Sequence, residues 1–411
     1  MLERPKRKNP VLRTRLPTLP PAARSRIALG LTAAAALGRF ELQQCRDCGD
    51  VQYPPREACQ RCLSINIHWK LQSGDGELLA DTMLHHSNDL FFRERLPWRL
   101  GLIKLGSGPT VVAHLHGSIR KVPEKVTVRA MLDRAGQAVL VALPEKETPN
   151  MADDRQLREF TCDPKFRKVL ITDGKTSLGQ SLVKGFVKAG ADLIWVGHAE
   201  PWKNFPGFQE IKSLQQASLV PLDLTDSRNV REVAAEIGGK VDIVVNNAEH
   251  HRAFGIGNRA GVETARAEMD VNYFGLLRLA QELGPAMRSR GADGQSSAVA
   301  WVNLLSIYAL ANFPPHGTFS ASKAAAHSLA QCLRAEMRPA GVRVVNVFPG
   351  PLDDEWNQLL PPPKLAPAAL ARAVIKALQD GIEDVYPGDV AQEWLARWRD
   401  NPKALEKELS S

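Results

Sequence analysis

The second half of the chain alternates short apolar runs with amphipathic helical segments, and this alternation restricts the fold more than any other feature. The apolar runs lie between residues 168 and 350 and read KVLIT, ADLIWVG, VDIVVNN, AVAWVNLLS and VRVVNVFPG. Segments such as SLGQSLVKGFVKAG separate them. Buried strands joined by helices form parallel sheets with helices on both faces. We therefore predict an α/β fold, with a Rossmann-type doubly wound parallel sheet over residues 167–411.

Short motifs follow the predicted strands in a fixed order. Residues 172–179 read Thr-Asp-Gly-Lys-Thr-Ser-Leu-Gly after the first strand, and residues 246–249 read Asn-Asn-Ala-Glu after the fourth. The others are Asp223-Leu-Thr-Asp226 after the third strand, Asn272 in DVNYFG, Ser306 ending the fifth strand, Phe319-Ser-Ala-Ser-Lys323, and Pro349-Gly350 after the sixth. In this order they resemble the short-chain dehydrogenase/reductase family over residues 166 to about 400.

The resemblance implies roles for residues of this chain. The catalytic positions are Asn272, Ser306 and Lys323, with Phe319 at the position of the family's tyrosine. The residues implied for binding NAD or NADP are Thr172, Gly174, Ser177, Leu178, Gly179, Asp223, Leu224, Asn247, Ala248, Pro349 and Gly350. Residues 196–198 at the end of the second strand offer neither an acid for a ribose diol nor an arginine for a 2′-phosphate, so NAD versus NADP stays open.

Phe319 is the main departure from the family pattern. Such enzymes carry a tyrosine general acid/base four residues before the lysine, and Phe319 holds that place ahead of Lys323. A phenyl ring has no proton to give to an alkoxide, and loss of a positioned acid costs about 10²–10⁴-fold in rate. Two neighbours, Tyr308 and His316, are candidate replacements. The alternatives are that Tyr308 only packs and that His316 is solvated.

The nucleotide motifs depart from the pattern as well. Asp173 and Ser177 stand where the family has glycines, which let the backbone turn tightly against a pyrophosphate. A carboxylate about 5 Å from a phosphate costs about 3 kcal/mol at an effective dielectric of about 20, or about two decades in affinity. Glu249 replaces a further glycine beside the expected nicotinamide ribose, and two histidines, His250 and His251, follow it. Alternatively, Asp173 caps the helix and leaves a displaced cofactor bound.

Four cysteines near the N-terminus have the spacing of a zinc site. They are Cys45, Cys48, Cys59 and Cys62, in two CxxC pairs. Four thiolates close a tetrahedral site around Zn²⁺ and leave no position for water, so we predict one structural zinc rather than a catalytic one. The alternative is that the cysteines are free.

The segment that follows the cysteines predicts a small barrel. Five short apolar runs between residues 69 and 144 fit an OB-fold. With the Ala-rich helix and CRDCGDVQYPPREACQRC before them, they resemble the rubredoxin-like zinc-ribbon/OB-fold family over about residues 25–147. This resemblance implies an acyl-CoA site shared with a thiolase-like enzyme. Nucleic-acid binding is the competing interpretation, which the scarcity of stacking aromatics disfavours.

The positive charge is concentrated at the N-terminus. Lys and Arg exceed Asp and Glu by 53 − 45 = +8, and residues 1–26 carry +7 of this. Such an arm suggests a tether to an acidic partner or to CoA phosphates. The apolar stretch IALGLTAAAALG is too short to span a bilayer, which takes about 20 residues, so we expect no membrane segment, with a targeting leader as the alternative. Six cysteines without a disulfide pattern fit the cytoplasm.

These features divide the chain into four parts. They are a basic arm (1–26), a zinc-ribbon and OB-fold domain (27–147), a linker (148–166) and the dehydrogenase-like domain (167–411). We expect an accessory subunit of acyl-CoA metabolism that pairs with an active dehydrogenase through helices at 262–290 and 320–339. The alternative is an active NAD(P)-dependent oxidoreductase acting on an acyl-CoA with a displaced proton donor.

Overall fold

Two separate β-sheet systems organise the chain. The computed structural model describes residues 16–258, 260–292 and 297–410. It divides them into one unit over residues 18–163 and 379–382 and a second unit made mainly of residues 164–378 and 383–410. Most of the predicted basic arm, residues 1–15, lies outside the described residues.

The first unit opens with a helix and a small antiparallel sheet. The Ala-rich segment forms α1 (Leu29–Ala36), whose Leu31 and Ala35 join the core of this unit. The sheet has the order β2-β1-β3, with strands β1 (Glu41–Cys45), β2 (Val51–Gln52) and β3 (Ile67–Leu71). Within the described ranges, none of the helices combines the length and apolarity that crossing a bilayer requires.

Five strands then close into the predicted barrel. They are β4 (Asp75–Leu84), β5 (Trp98–Leu105), β6 (Thr110–Leu115), β7 (Glu124–Leu132) and β8 (Ala138–Pro144), with the short helix α2 (Leu90–Arg93) between β4 and β5. The closed order is β4-β5-β6-β8-β7, in which only β6 and β8 pair in parallel. In β6, Val111, Ala113 and Leu115 point into the core while their neighbours face out, as a strand's period of two requires.

The segment predicted as a linker, residues 148–166, is built into the first unit as far as Asp163. It forms two 3₁₀ turns, Met151–Asp153 and Leu157–Glu159. Leu157 and Phe160 are buried in a cluster with Trp98. Few apolar residues occur in this polar segment, but Leu157, Phe160 and the partly buried Met151 pack with Trp98 of β5, which the segment's lack of periodicity did not indicate.

The second unit contains the predicted doubly wound sheet. Seven parallel strands lie in the order β11-β10-β9-β12-β13-β14-β15. Their bounds are β9 (Lys168–Ile171), β10 (Leu193–His198), β11 (Ala217–Pro221), β12 (Ile243–Asn246), β13 (Ala300–Leu304), β14 (Arg343–Val347) and β15 (Asp384–Val385). All residues of β12, β13 and β14 are buried, because helices cover both faces.

Nine helices of the described chain accompany this sheet. They are α3 (Ser177–Lys188), α4 (Phe208–Ser213), α5 (Ser227–Ile237), α6 (Glu263–Met269), α7 (Leu276–Ser289), α8 (Gly317–Met337), α9 (Pro367–Asp380), α10 (Asp389–Asp400) and α11 (Pro402–Leu409). A π-helical turn, Asp270–Gly275, joins α6 to α7. The strand order reverses between β9 and β12, and the crevice at such a switch point is where ligands bind in open α/β sheets.

Candidate functional site

Hydrogen bonds join the loops that follow β9 and β12. The Thr172 hydroxyl oxygen accepts the backbone N–H groups of Asn247 and Ala248, both at 3.0 Å. The Asn247 side chain accepts the Asp173 N–H at 3.0 Å and donates to the Asp173 carbonyl at 2.7 Å. The structure therefore brings the first and fourth strand-end motifs together at the switch point.

Two of the predicted cofactor glycines are required by close packing. A Cβ on Gly174 would lie 2.1 Å from a methyl carbon of Val196, and one on Gly179 would lie 2.0 Å from the Asp173 carbonyl oxygen. These distances leave no room for any side chain. The turn thus keeps the tight backbone of a phosphate-binding loop although two family glycines are replaced.

Asp173 does not cap α3, so the capping part of that alternative is wrong. The cap is Thr176, whose hydroxyl accepts the Gly179 N–H at 3.1 Å. Asp173 instead accepts the Lys175 N–H at 2.8 Å, within the loop. Burial raises the pKa of Asp173, and the Lys175 N–H and ammonium offset this only in part. The carboxyl group lies where the resemblance puts a pyrophosphate.

The remaining predicted cofactor residues lie at the carboxyl edge of the sheet. They are Ser177 and Leu178 at the start of α3, Asp223 and Leu224 after β11, and Pro349 and Gly350 after β14. Asp223 is occupied locally, since its carboxylate accepts the N–H and the hydroxyl of Thr225 at 2.9 and 2.7 Å. The Lys175 ammonium, in the loop after β9, lies 2.7 Å from the carboxylate of Glu200, which follows β10.

Asn272 lies in the π-helical turn and is held by three hydrogen bonds. Its carbonyl oxygen accepts the His250 N–H at 2.9 Å. Its amide donates to the His250 carbonyl at 2.9 Å and to the Ser322 hydroxyl at 2.8 Å. The turn therefore fixes Asn272 between the loop after β12 and helix α8.

Ser306 and Lys323 are both buried beside the end of β13. The Ser306 hydroxyl oxygen accepts the Tyr308 N–H at 3.2 Å. The Lys323 ammonium donates to the Leu304 carbonyl at 3.0 Å. Asn272, Ser306 and Lys323 thus occupy positions around one crevice, as the resemblance implies, and their catalytic roles stay predictions.

Phe319 is enclosed by other rings. Its side chain is buried with Ile307, Tyr308 and Ala391. The imidazole of His251 stacks on it, with ring centroids 3.8 Å apart and planes 17° from parallel. A phenyl ring has no exchangeable proton, and a histidine covers one face of the ring at this position.

Glu249 forms an ion pair with Lys323 that the sequence motif did not predict. One carboxylate oxygen lies 2.6 Å from the Lys323 ammonium, and the other lies 3.7 Å from Nδ1 of His251. Burial alone would raise the pKa of Glu249, but the Lys323 ammonium outweighs it and holds the pKa below its usual range. The only signal in the sequence was the replacement of a motif glycine by glutamate.

The two candidate replacement donors lie in the same ring cluster. His316 is 2% exposed, so the expectation of a solvated loop histidine is wrong, and its Nδ1 lies 2.9 Å from Nε2 of His251. Burial lowers the pKa of His316 and lowers that of His251 to about 4. Tyr308 packs against Phe313 and Trp394, and burial raises its pKa.

These residues do not fit a nicotinamide dinucleotide at either end of the crevice. The loop after β9 keeps its backbone shape but places the Asp173 carboxyl group at the expected pyrophosphate. At the expected nicotinamide ribose, the Glu249 carboxylate already holds the Lys323 ammonium. Both departures add an acidic group where the family has a glycine.

The four cysteines of the first unit do fit a zinc ion. Their sulfur atoms all lie within 4.8 Å of one another, and the Cys45–Cys62 and Cys48–Cys59 pairs are 3.6 Å apart. A tetrahedron with Zn–S bonds of about 2.3 Å has edges of about 3.8 Å. Each CxxC pair is followed by a residue with positive φ, Gly49 at 77° and Leu63 at 62°. The zinc is structural, since four sulfurs complete its coordination.

Three family descriptions match successive parts of the chain. "Short chain dehydrogenase" matches residues 167–363. "ChsH2, rubredoxin-like zinc ribbon domain" matches residues 32–66, and "ChsH2, C-terminal OB-fold domain" matches residues 69–128. These matches agree with the two units of the structure.

Curated proteins and a solved structure that are similar to this chain are also short-chain dehydrogenases. Dehydrogenase/reductase SDR family member 7B is 32% identical over 199 residues in Mus musculus and 34% over 192 in Xenopus tropicalis. Each match covers 44% of this chain, which spans 56% and 60% of those relatives. A short chain dehydrogenase from Burkholderia cenocepacia, solved in complex with NADP, is 31% identical with a TM-score of 0.55, covering 61% of this chain and 99% of that one. The chain belongs to the short-chain dehydrogenase/reductase family and carries a zinc ribbon and OB-fold of the ChsH2 type at its N-terminus.

Proposed function

We propose that the protein is an accessory subunit of an acyl-CoA-metabolising assembly whose dehydrogenase unit has lost hydride-transfer catalysis. The observation that carries this proposal is Phe319, buried under His251 at the position of the family's general acid. Reduction of a carbonyl leaves an alkoxide that needs a proton as hydride arrives, and Phe319 supplies none.

The polar neighbours of Phe319 are poor substitutes. With a pKa of about 4, His251 is neutral at pH 7 and has no acidic proton ready to give. His316 is also held neutral by burial. Tyr308 keeps its proton, but its ring meets Phe319 edge-on with centroids 6.5 Å apart and is buried among aromatic rings. These facts favour a non-catalytic role for the unit.

The N-terminal unit suggests the kind of assembly. Its family resemblance implies thiolases and thiolase-like acyltransferases or aldolases as companions. We propose that the barrel and zinc ribbon contact such an enzyme and help to complete its acyl-CoA site. 3-Hydroxyacyl-CoA oxidation by a paired dehydrogenase and thiolytic or retro-aldol cleavage would then take place in one assembly. The cytoplasm, where free cysteines persist, is the proposed location.

The second unit offers a surface for the dehydrogenase partner. The segment 262–290 exposes two large apolar side chains, Val262 at 53% and Phe274 at 44%. They line a recess of about 550 Å³ on α6 and the π-helical turn. Exposed apolar groups beside a recess are typical of protein contacts, which supports pairing through this segment. Residues 320–339, which begin within α8, form the other part of the proposed interface.

An active oxidoreductase with a displaced donor is the second candidate. The observation that favours it is the row of titratable side chains from Lys323 through Glu249 and His251 to His316, which runs beside the position of the missing proton donor. Only the second candidate predicts turnover of a 3-hydroxyacyl-CoA with NAD⁺ or NADP⁺.

The test uses the full-length protein with 3-hydroxyacyl-CoA substrates of several chain lengths and either NAD⁺ or NADP⁺. We expect no turnover above the uncatalysed rate. A tagged copy purified from its native host should bring along a thiolase-like enzyme identifiable by mass spectrometry. Turnover by the wild type would contradict the proposal and support the second candidate.

A further inference from the structure

The Lys323 ammonium is satisfied by the protein itself. Two of its three N–H donors are used by the Leu304 carbonyl at 3.0 Å and the Glu249 carboxylate at 2.6 Å. The Lys323 side chain is 3% exposed and that of Glu249 is 28% exposed. The carboxylate therefore reaches from the crevice onto a buried cation, and this pair requires no bound ligand to balance its charge.

The opposite side of Glu249 faces a packed histidine. Its second oxygen faces Nδ1 of His251 at 3.7 Å, and His251 contacts His316 through its other nitrogen at 2.9 Å. The stacked ring of Phe319 supports His251 from its face. Glu249 is thus held by an ammonium on one side and is bordered by a packed histidine pair on the other.

The Glu249 carboxylate lies where a nicotinamide ribose would compete with it for Lys323. Residue 249 ends the motif after β12, where the resemblance puts the nicotinamide ribose. Ribose hydroxyls are neutral acceptors, whereas the Glu249 carboxylate places a full negative charge 2.6 Å from the Lys323 ammonium, and the attraction between two charges adds to the hydrogen bond. A ribose would have to displace the stronger acceptor and leave an acidic side chain beside the cofactor.

We infer that Glu249 is the specificity-determining residue that excludes nicotinamide dinucleotides, because it serves as an internal ligand of Lys323 in the place of a ribose. This inference concerns binding and does not depend on the missing proton donor. Asp173 repels the pyrophosphate at the other end of the crevice. Its effect can be separated from that of Glu249, because Asp173 acts on any adenine nucleotide with a diphosphate, whereas Glu249 acts only on one with a nicotinamide ribose.

The test compares two probes on the full-length chain by calorimetry: NADH, which carries the nicotinamide ribose, and ADP, which lacks it. Glu249→Gly restores the family's residue, and Glu249→Gln removes only the charge. We expect both variants to bind NADH about tenfold or more tightly than the wild type, with ADP affinity unchanged. Asp173→Gly is the matched control, which should strengthen binding of both probes alike.

Stability gives a second readout if the variants fold less well. Glu249→Gly leaves the Lys323 ammonium without a carboxylate partner. The melting temperature of this variant should therefore fall below that of the wild type. Added NADH should recover part of that loss, and ADP should not.

Three results would overturn the inference. They are micromolar NADH binding by the wild type, unchanged NADH affinity in both Glu249 variants, or an equal gain for ADP and NADH in Glu249→Gly. None of these decides whether the protein works as an accessory subunit, because the proposed function is tested by turnover and co-purification.

Discussion

His251 and Phe319 lie face to face, with ring centroids 3.8 Å apart and planes inclined by 17°. A neutral imidazole therefore covers the side chain that replaces the family's proton donor. On one side His251 faces the carboxylate of Glu249, and Glu249 in turn holds Lys323. The loss of the tyrosine thus belongs to a connected set of changes rather than to one substitution.

Restoring the hydroxyl alone should not restore the reaction. In Phe319→Tyr the acid returns, but Glu249 still holds Lys323, so we expect NAD(P)-dependent oxidation of 3-hydroxyacyl-CoA to stay at background. Phe319→Tyr combined with Glu249→Gly should give turnover at least about 10²-fold above Glu249→Gly alone, which lacks the positioned acid/base. Phe313→Tyr combined with Glu249→Gly is the matched control, since it adds a hydroxyl to a neighbouring ring. Full activity in Phe319→Tyr alone would show that Glu249 is no obstacle.

Acid should destabilise the second unit through His251. Burial lowers the pKa of His251 to about 4, below about 6.5 in an unfolded chain. Between these values the unfolded state binds more protons, so the contribution is complete above pH 6.5 and is lost as the pH falls to 4, up to about 3 kcal/mol. Of the titratable and charged groups that face His251, Glu249 opposes the lowering of its pKa, and His316, Lys323 and Arg252 add to it.

Urea unfolding at pH 7.5 and pH 5 measures this effect, and a variant lacking the imidazole provides the comparison. His251→Asn should show a smaller loss of stability between the two pH values than the wild type. An identical pH dependence in both proteins would assign the acid sensitivity to other groups.

The first unit should depend on one zinc ion. Elemental analysis of the purified protein should give one zinc per chain, because the four sulfurs fit a single tetrahedral site. Cys59→Ser should abolish the zinc and lower the melting temperature of the first unit, since Cys59 is buried. Cys332→Ser, an exposed cysteine outside the site, is the control and should keep the full zinc content. Retained zinc in Cys59→Ser would contradict the assignment.

A charge on the exposed face of the π-helical turn should weaken association. Phe274 is 44% exposed beside the recess, so Phe274→Glu would place a carboxylate in an apolar contact. We expect light scattering after size-exclusion chromatography to show dissociation of the oligomer at concentrations where the wild type is assembled. Trp202→Glu, which changes an 80% exposed aromatic residue outside this segment, should leave the mass unchanged. Equal masses for all three proteins would place the interface elsewhere.

Much of the architecture could be predicted from local patterns. The continuous apolar runs gave the strands of the doubly wound sheet, and the confirmed barrel followed from short runs separated by turns. The zinc ligands followed from spacing, since two CxxC turns each present two sulfurs. The segment 148–163 was less predictable, because only a few apolar side chains such as Leu157 and Phe160 anchor it.

The residues around Phe319 were harder to interpret from the chain alone. A glutamate in place of a glycine shows that a motif has changed, but it does not show what the carboxylate contacts. A histidine in a loop is usually solvated, yet His316 is buried because Tyr308, Phe313 and His251 close around it.

The sequence by itself determined the fold family, the zinc ligands and the absence of a hydroxyl at residue 319, because each depends on residue type, period or spacing along the chain. Only the tertiary structure decided that Glu249 neutralises Lys323 and that His251 covers Phe319. Those pairs join residues about 70 positions apart in sequence, on the loop after β12 and on α8. The strength of a charge pair depends on distance and burial, and these are set only when the strands and helices pack.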